Sequence, residues 1–125
     1  MGTDLSRVVV IAILFLGTFL SGFGLSHFHR PYNVALLTVH KLLALGAMVP
    51  IGVLVVRAYR LAGLSRLEWT GWLTAGFVLL IAFSTGAFLT ALRPPHAALI
   101  AHRIAPYFAA TLTAAALYIS FVKVR

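Results

Sequence analysis

Of the chain's 125 residues 62% are apolar and only 10% charged, with a formal charge of +8. A soluble domain averages roughly 45–50% apolar and ~25% charged residues, so this composition excludes an ordinary water-soluble fold, a disordered segment and a nucleic-acid-binding module. The ten Lys and Arg are scattered between long neutral stretches, which makes them topogenic, lipid-facing charge on an integral membrane protein. There is no cysteine, so disulfides, Cys-ligated iron–sulfur clusters and covalent haem attachment are also excluded.

Four apolar runs follow in chain order. They are Val8 to about Ser26, about Tyr32 to Val56, Trp69 to Leu92, and about Ala97 to Val122. The second is interrupted only by His40-Lys41 and the fourth only by His102-Arg103. A helix needs about 20 residues to cross the hydrocarbon core at 1.5 Å per residue, and each run has about that length. Backbone groups in lipid must be paired internally, so the runs are helices. Short connections between them predict an all-α, integral membrane, up-down-up-down four-helix bundle, a single transmembrane domain over 1–125.

The connections carry turn chemistry. His27-Phe28-His29-Arg30-Pro31 joins the first two spans, Arg57 to Glu68 with Gly63 and Ser65 the middle two, and Arg93-Pro94-Pro95-His96 the last two. Proline there sits where a helix can begin without an amide partner. Pro50 and Pro106 fall inside spans, where a local kink is tolerated. The front end, Met1 to Ser6, has no Lys or Arg and no A-x-A site follows, so the first span reads as a retained helix rather than a signal peptide.

Lys and Arg also set the orientation. Arg7, Arg57, Arg60, Arg66, Lys123 and Arg125 lie on the face with both termini, against Arg30 and Arg93 in the opposite loops. That bias places both termini in the cytoplasm, for a bacterial inner membrane. An internal repeat accompanies it: an offset of 62 lays Gly24 on Gly86, Leu37 on Leu99, His40 on His102, Lys41 on Arg103 and Ala47 on Ala109.

All five histidines, His27, His29, His40, His96 and His102, fall on the non-cytoplasmic side. His40 and His102 lie inside spans, about seven residues past each helix start and about 10 Å deep. An ionisable group there is a functional-site hypothesis by default. In a square bundle with neighbours ~10 Å apart, helices two and four, if diagonal, have axes roughly 14 Å apart. Two inward imidazoles at one depth would then hold one metal at the centre of a flat ring, the arrangement of a bis-imidazole haem.

Small residues line those faces: Ala44 and Ala47 beside His40, Ala98, Ala105, Pro106 and Ala109 beside His102, Gly17, Ser21 and Gly24 on the first span, Ala82 and Gly86 on the third. They leave room beside a planar cofactor, or they simply let helices approach closely. Lys41 and Arg103 follow the two histidines and, with Arg30 and Arg93, are candidates to neutralise haem propionates. Alternatively Lys41 and Arg103 snorkel to the interface. His27, His29 and His96 could bind zinc or copper or move protons near a quinol, or be interfacial residues with no ligand.

Asp4 and Glu68 are the only acids and both fall at the cytoplasmic rim, which speaks against a carboxylate proton relay. The stretch Ala82-Phe83-Ser84-Thr85-Gly86 resembles a fluoride-channel filter in those residues alone, and the polar Asn such a channel carries in its spans is missing.

Through His40-Lys41 and His102-Arg103, placed alike in alternate helices, the chain resembles the cytochrome b561 and related haem-anchor families. The resemblance implies non-covalent haem b on two histidines, passing single electrons between quinol, or another donor, and a larger redox partner. The b561 proteins carry two histidine pairs; here the cytoplasmic half has none, which implies one haem. Two other classes compete: a cofactor-free structural or assembly subunit that binds a neighbouring membrane protein and anionic lipid, and a metal or solute transporter using the outer histidines.

Overall fold

The computed structural model describes residues 2–28, 31–91 and 93–122. They form four helices: α1 (Gly2–His27), α2 (Val34–Ala62), α3 (Arg66–Phe88) and α4 (His96–Val122). All four are long and apolar enough to cross a membrane, as the hydropathy pattern predicts. Large apolar side chains stay on the outside, with Phe23 72% and Tyr107 65% exposed. Such a surface would aggregate in water but is the solvated face in lipid.

The middle connection is shorter than the charge pattern predicts. The α2 helix runs on through Arg57 and Arg60, α3 begins at Arg66, and only 63–65 lie between. Arginine is a good helix former, so charge ends a span without ending its helix. What ends α2 is Gly63, at φ +66°, a left-handed position that costs a side-chain-bearing residue roughly 1–2 kcal/mol. Its N–H donates to the Tyr59 carbonyl at 3.0 Å, closing the helix with a left-handed cap. Ser65 then starts α3 through a reciprocal capping box: its N–H donates to Glu68 Oε2 at 2.8 Å, and the Glu68 N–H donates to Ser65 Oγ at 3.4 Å. Glu68 is thereby buried, at 6% exposure, with its charge at a helix N-terminus.

At the other end Asn33, rather than Pro31, starts α2: its side-chain oxygen accepts from the Leu36 N–H at 3.1 Å. Pro95 starts α4, its carbonyl accepting from the Ala98 N–H at 3.0 Å. The α3 helix gives out at Phe88, earlier than the apolar run to Leu92 predicts. The Thr90 and Ala91 amides there turn back to the carbonyls of Ala87 and Phe88. Those tight turns end the helix ahead of Pro94, and Leu92 itself lies outside the described residues.

The chain divides into two compact units, Met1–Arg57 and Ala58–Arg125. In the first, α1 and α2 pack as an antiparallel hairpin by seating leucine on glycine. A Cβ on Gly17 would meet Leu43 Cδ1 at 3.2 Å, one on Gly24 would meet Leu36 Cδ2 at 3.3 Å, and one on Gly46 would meet Leu14 Cδ2 at 3.8 Å. Ile11, Leu25, Ala47, Ile51 and Leu54 are buried here. In the second, α3 and α4 pack antiparallel with smaller side chains. Gly71 lies against Ala116, Ala75, Ala105 and Ala109 are buried, and Trp72 Nε1 donates to Ser120 Oγ at 3.1 Å.

Most hydroxyls within the helices turn back onto their own backbone, as Thr74 does to Thr70 at 2.7 Å and Thr111 to Tyr107 at 2.9 Å. A hydroxyl in lipid has no water to bond, so this is its cheapest partner. Thr113 departs from the pattern. It is 2% exposed, and its hydroxyl has no hydrogen-bond partner among the described residues.

Candidate functional site: a duplicated histidine clamp

His40 stands six residues after the start of α2, and His102 six after the start of α4. At 1.5 Å per residue each is about 9 Å along its helix. Each imidazole turns toward the other helix of its own hairpin, and the partners there are of the same kind.

In the first hairpin His40 Nδ1 lies 3.0 Å from the Thr18 carbonyl oxygen and 3.0 Å from Ser21 Oγ. Ser21 itself donates to the carbonyl of Gly17 at 2.8 Å, with that of Thr18 at 3.1 Å. A carbonyl has no proton to give, so Nδ1 donates. The Ser21 hydroxyl, its own proton engaged, accepts the second branch. In the neutral ring this leaves the lone pair on Nε2.

The second hairpin repeats the arrangement. His102 Nδ1 lies 2.8 Å from the Ala82 carbonyl oxygen and 3.3 Å from Thr85 Oγ1. Thr85 donates to the carbonyl of Ile81 at 2.7 Å, with that of Ala82 at 3.1 Å. The same argument holds: Nδ1 donates, and in the neutral ring Nε2 keeps the lone pair.

Glycine makes room for both rings. A Cβ on Gly22 would come within 3.0 Å of His40 Cε1, and one on Gly86 within 2.7 Å of His102 Cε1. The clamp is therefore a five-residue segment facing a histidine: Thr18-Phe19-Leu20-Ser21-Gly22 in α1 and Ala82-Phe83-Ser84-Thr85-Gly86 in α3. Its carbonyl comes from the first residue, its hydroxyl from the fourth, and its bare backbone from the fifth.

This geometry corrects the internal repeat. Between α2 and α4 the offset of 62 stands, and Ala47 with Ala109, and Leu54 with Ala116, are buried at both places. Between α1 and α3 the structural match is Gly22 with Gly86, an offset of 64. Gly24 is not the counterpart of Gly86, since it meets Leu36 rather than an imidazole. The two extra residues are taken up in the chain between α1 and α2, so a single offset cannot align both helices. Sequence reasoning notes Ser21 and Gly86 as small residues beside a cofactor and Thr85 only within the 82–86 stretch, and it misses Thr18 and Gly22. The signal that finds them is the recurrence of x-Phe-x-Ser/Thr-Gly.

The remaining candidates fall away from the clamps. Lys41 and Arg103 are exposed on the hairpin surface, as is Arg93 in its loop. Arg30 and His29 lie outside the described residues. His27 ends α1, stacked on Phe23 with ring centroids 6.3 Å apart. His96 is the exposed first residue of α4. Among the described residues no three His, Cys, Asp or Glu side chains gather where they could hold a metal ion.

Chemically, each clamp fixes the orientation of an imidazole by holding its Nδ1–H on a backbone carbonyl. Histidines that ligate metals are held in this way, and the outer hydrogen bond fixes the ring and raises its basicity. The donor chemistry of both histidines thus fits an axial ligand of haem. The fold and site define an all-α protein with four membrane-length helices and two copies of one histidine clamp. Compared with protein-family models, curated proteins and solved structures, the chain matches none.

Proposed function

We propose that the protein is a membrane electron-transfer protein of the small b-type cytochrome kind, binding one non-covalent haem b with His40 and His102 as axial ligands. The observation that supports it is the matched pair of clamps: two histidines within membrane-length helices, each with Nδ1 committed to a carbonyl of the facing helix. Haem, when bound, supplies reversible one-electron chemistry. The chain's residues hold the imidazoles in orientation. Lys41, Arg103, Arg30 and Arg93 are the cations available to propionates. Electrons would be exchanged with quinol or a larger redox complex. The Lys and Arg bias favours cytoplasmic termini in a bacterial inner membrane.

The test is the visible spectrum of detergent-purified protein, expressed with haem supplied, oxidised and then reduced with dithionite. A sharp Soret band and a bis-imidazole α-band at near one haem per chain are expected, both lost in His40→Ala and His102→Ala. Colourless protein that cannot be reconstituted overturns the reading.

A second reading has its own observation. Leu43, Leu36 and Leu14 already occupy the space beside Gly17, Gly24 and Gly46, so those glycines serve helix approach rather than a cofactor. On that basis the chain is a cofactor-free structural or assembly subunit, with each histidine acting only as an interhelical tie. It predicts colourless protein that still inserts when His40 and His102 are replaced.

A further inference from the structure

We infer that Ser21 with Gly22, and Thr85 with Gly86, are positioning residues that present Nε2 of His40 and His102 as metal donors. The inference deepens the haem reading and rests on it for the identity of the metal. The orientation of the rings, however, can be measured without haem.

The physical basis is local. A histidine free in water can place its neutral proton on either ring nitrogen, and only the Nδ1–H form offers Nε2 to a metal. Inside each hairpin the choice is imposed from the facing helix. The Thr18 and Ala82 carbonyls accept from Nδ1, and carbonyls cannot serve the other tautomer. The hydroxyls of Ser21 and Thr85 accept a second branch because their own protons are spent one turn back. Gly22 and Gly86 let Cε1 reach the helix surface, so the ring has one seat. Three separate features on each facing helix therefore converge on one orientation, and they do so twice.

The two copies differ in a way that makes the inference testable. The hydroxyl contact is closer at Ser21 (3.0 Å) than at Thr85 (3.3 Å). The ring lies closer to Gly86 (2.7 Å from a Cβ position) than to Gly22 (3.0 Å). Removing a hydroxyl should therefore matter more in the first hairpin, and filling the glycine more in the second.

The experiment uses the full chain in detergent, with imidazole nitrogens labelled with ¹⁵N, before and after haem loading. Without haem, the nitrogen shifts of both rings are expected to report the Nδ1–H tautomer. Gly86→Ala should move His102 to mixed tautomers and leave His40 as it was; Gly22→Ala should do the converse more weakly. With haem, losing an outer hydrogen bond typically weakens metal binding 10–100-fold. Ser21→Ala is accordingly expected to weaken haem retention about tenfold, Thr85→Val less. Each should lower basicity at Nε2 and change the low-spin EPR signature. Ser21→Thr and Thr85→Ser, which keep the hydroxyl, should restore both signals. These conservative variants keep the test open if an alanine at either glycine prevents folding.

The Nε2–H tautomer at both rings in the native chain overturns the inference. So does haem retention and an EPR signature unchanged in Ser21→Ala. A colourless native protein whose rings are nonetheless in the Nδ1–H form overturns the haem reading and supports the clamp.

Discussion

In α2 the buried residues below the histidine are Ala47, Ile51 and Leu54; at the matching places of α4 stand Ala109, Thr113 and Ala116. In α1, Ile11 matches Ala75 of α3 and Leu25 matches Leu89, which caps the end of α3. One hairpin packs by leucine on glycine. The other packs by alanine, with a Trp72–Ser120 hydrogen bond and a buried Glu68 at its turn end. Yet Nδ1 of each histidine reaches the same kind of carbonyl and the same kind of hydroxyl. Packing volume differs between the halves while the clamp is the same. A hydrogen bond needs an oxygen within a few tenths of an ångström, whereas an interface can exchange large for small side chains if its helices move closer.

The largest effect that separates the halves is expected at the clamp glycines. Gly86→Ala would press a methyl against His102 at a distance real side chains do not tolerate and should cost about 2–3 kcal/mol, the upper range for overpacking. Gly22→Ala should cost about 1 kcal/mol on the same scale. Unfolding in mixed SDS micelles measures both; equal losses would mean that the ring spacing carries no weight.

Next comes a tie that only the second half possesses. Trp72→Phe removes the donor to Ser120, itself 3% exposed, and should destabilise by about 1–2 kcal/mol through the stranded hydroxyl. Val8 stands at the matching place of α1, and Val8→Ala should show no comparable polar loss. Thermal unfolding followed by circular dichroism distinguishes them.

A smaller loss is expected at the turn. Ser65→Ala opens the capping box and should cost about 1 kcal/mol, visible as faster amide hydrogen exchange at Glu68 and Trp69. Unchanged exchange would show that the carboxylate of Glu68 alone holds the start of α3.

The smallest effect has the opposite sign. Thr113→Val keeps the shape of a buried residue and removes a hydroxyl without a partner among the described residues, so stability should hold or rise by up to about 1 kcal/mol. A fall of more than that would show that the hydroxyl is bonded after all.

The sequence made much of this legible. Summed hydropathy marks the four spans, Pro31 and Pro94-Pro95 mark two of the connections, and the His-basic pairs mark the two histidines that matter for the clamps. The middle connection is harder to read, because Arg57 and Arg60 look like the end of a span, while the stop signals are Gly63 and the Ser65–Glu68 pair. The clamp was half visible: Ser21 and Gly86 stand out as small residues, but nothing in one chain of letters says that an imidazole will sit on them.

Membrane insertion depends on the apolar content of contiguous stretches and on charge beside them, both local properties, so the sequence by itself determined four helices and the two histidines within them. Which residue of α1 meets His40, and which of α3 meets His102, depends on the rotation of each helix about its axis and on how much chain the turn absorbs. Those are fixed only when the helices pack. Two residues more between Gly22 and His40 than between Gly86 and His102 shift the register of the facing helix. Only the tertiary structure could decide that Gly22, not Gly24, is the partner of the ring.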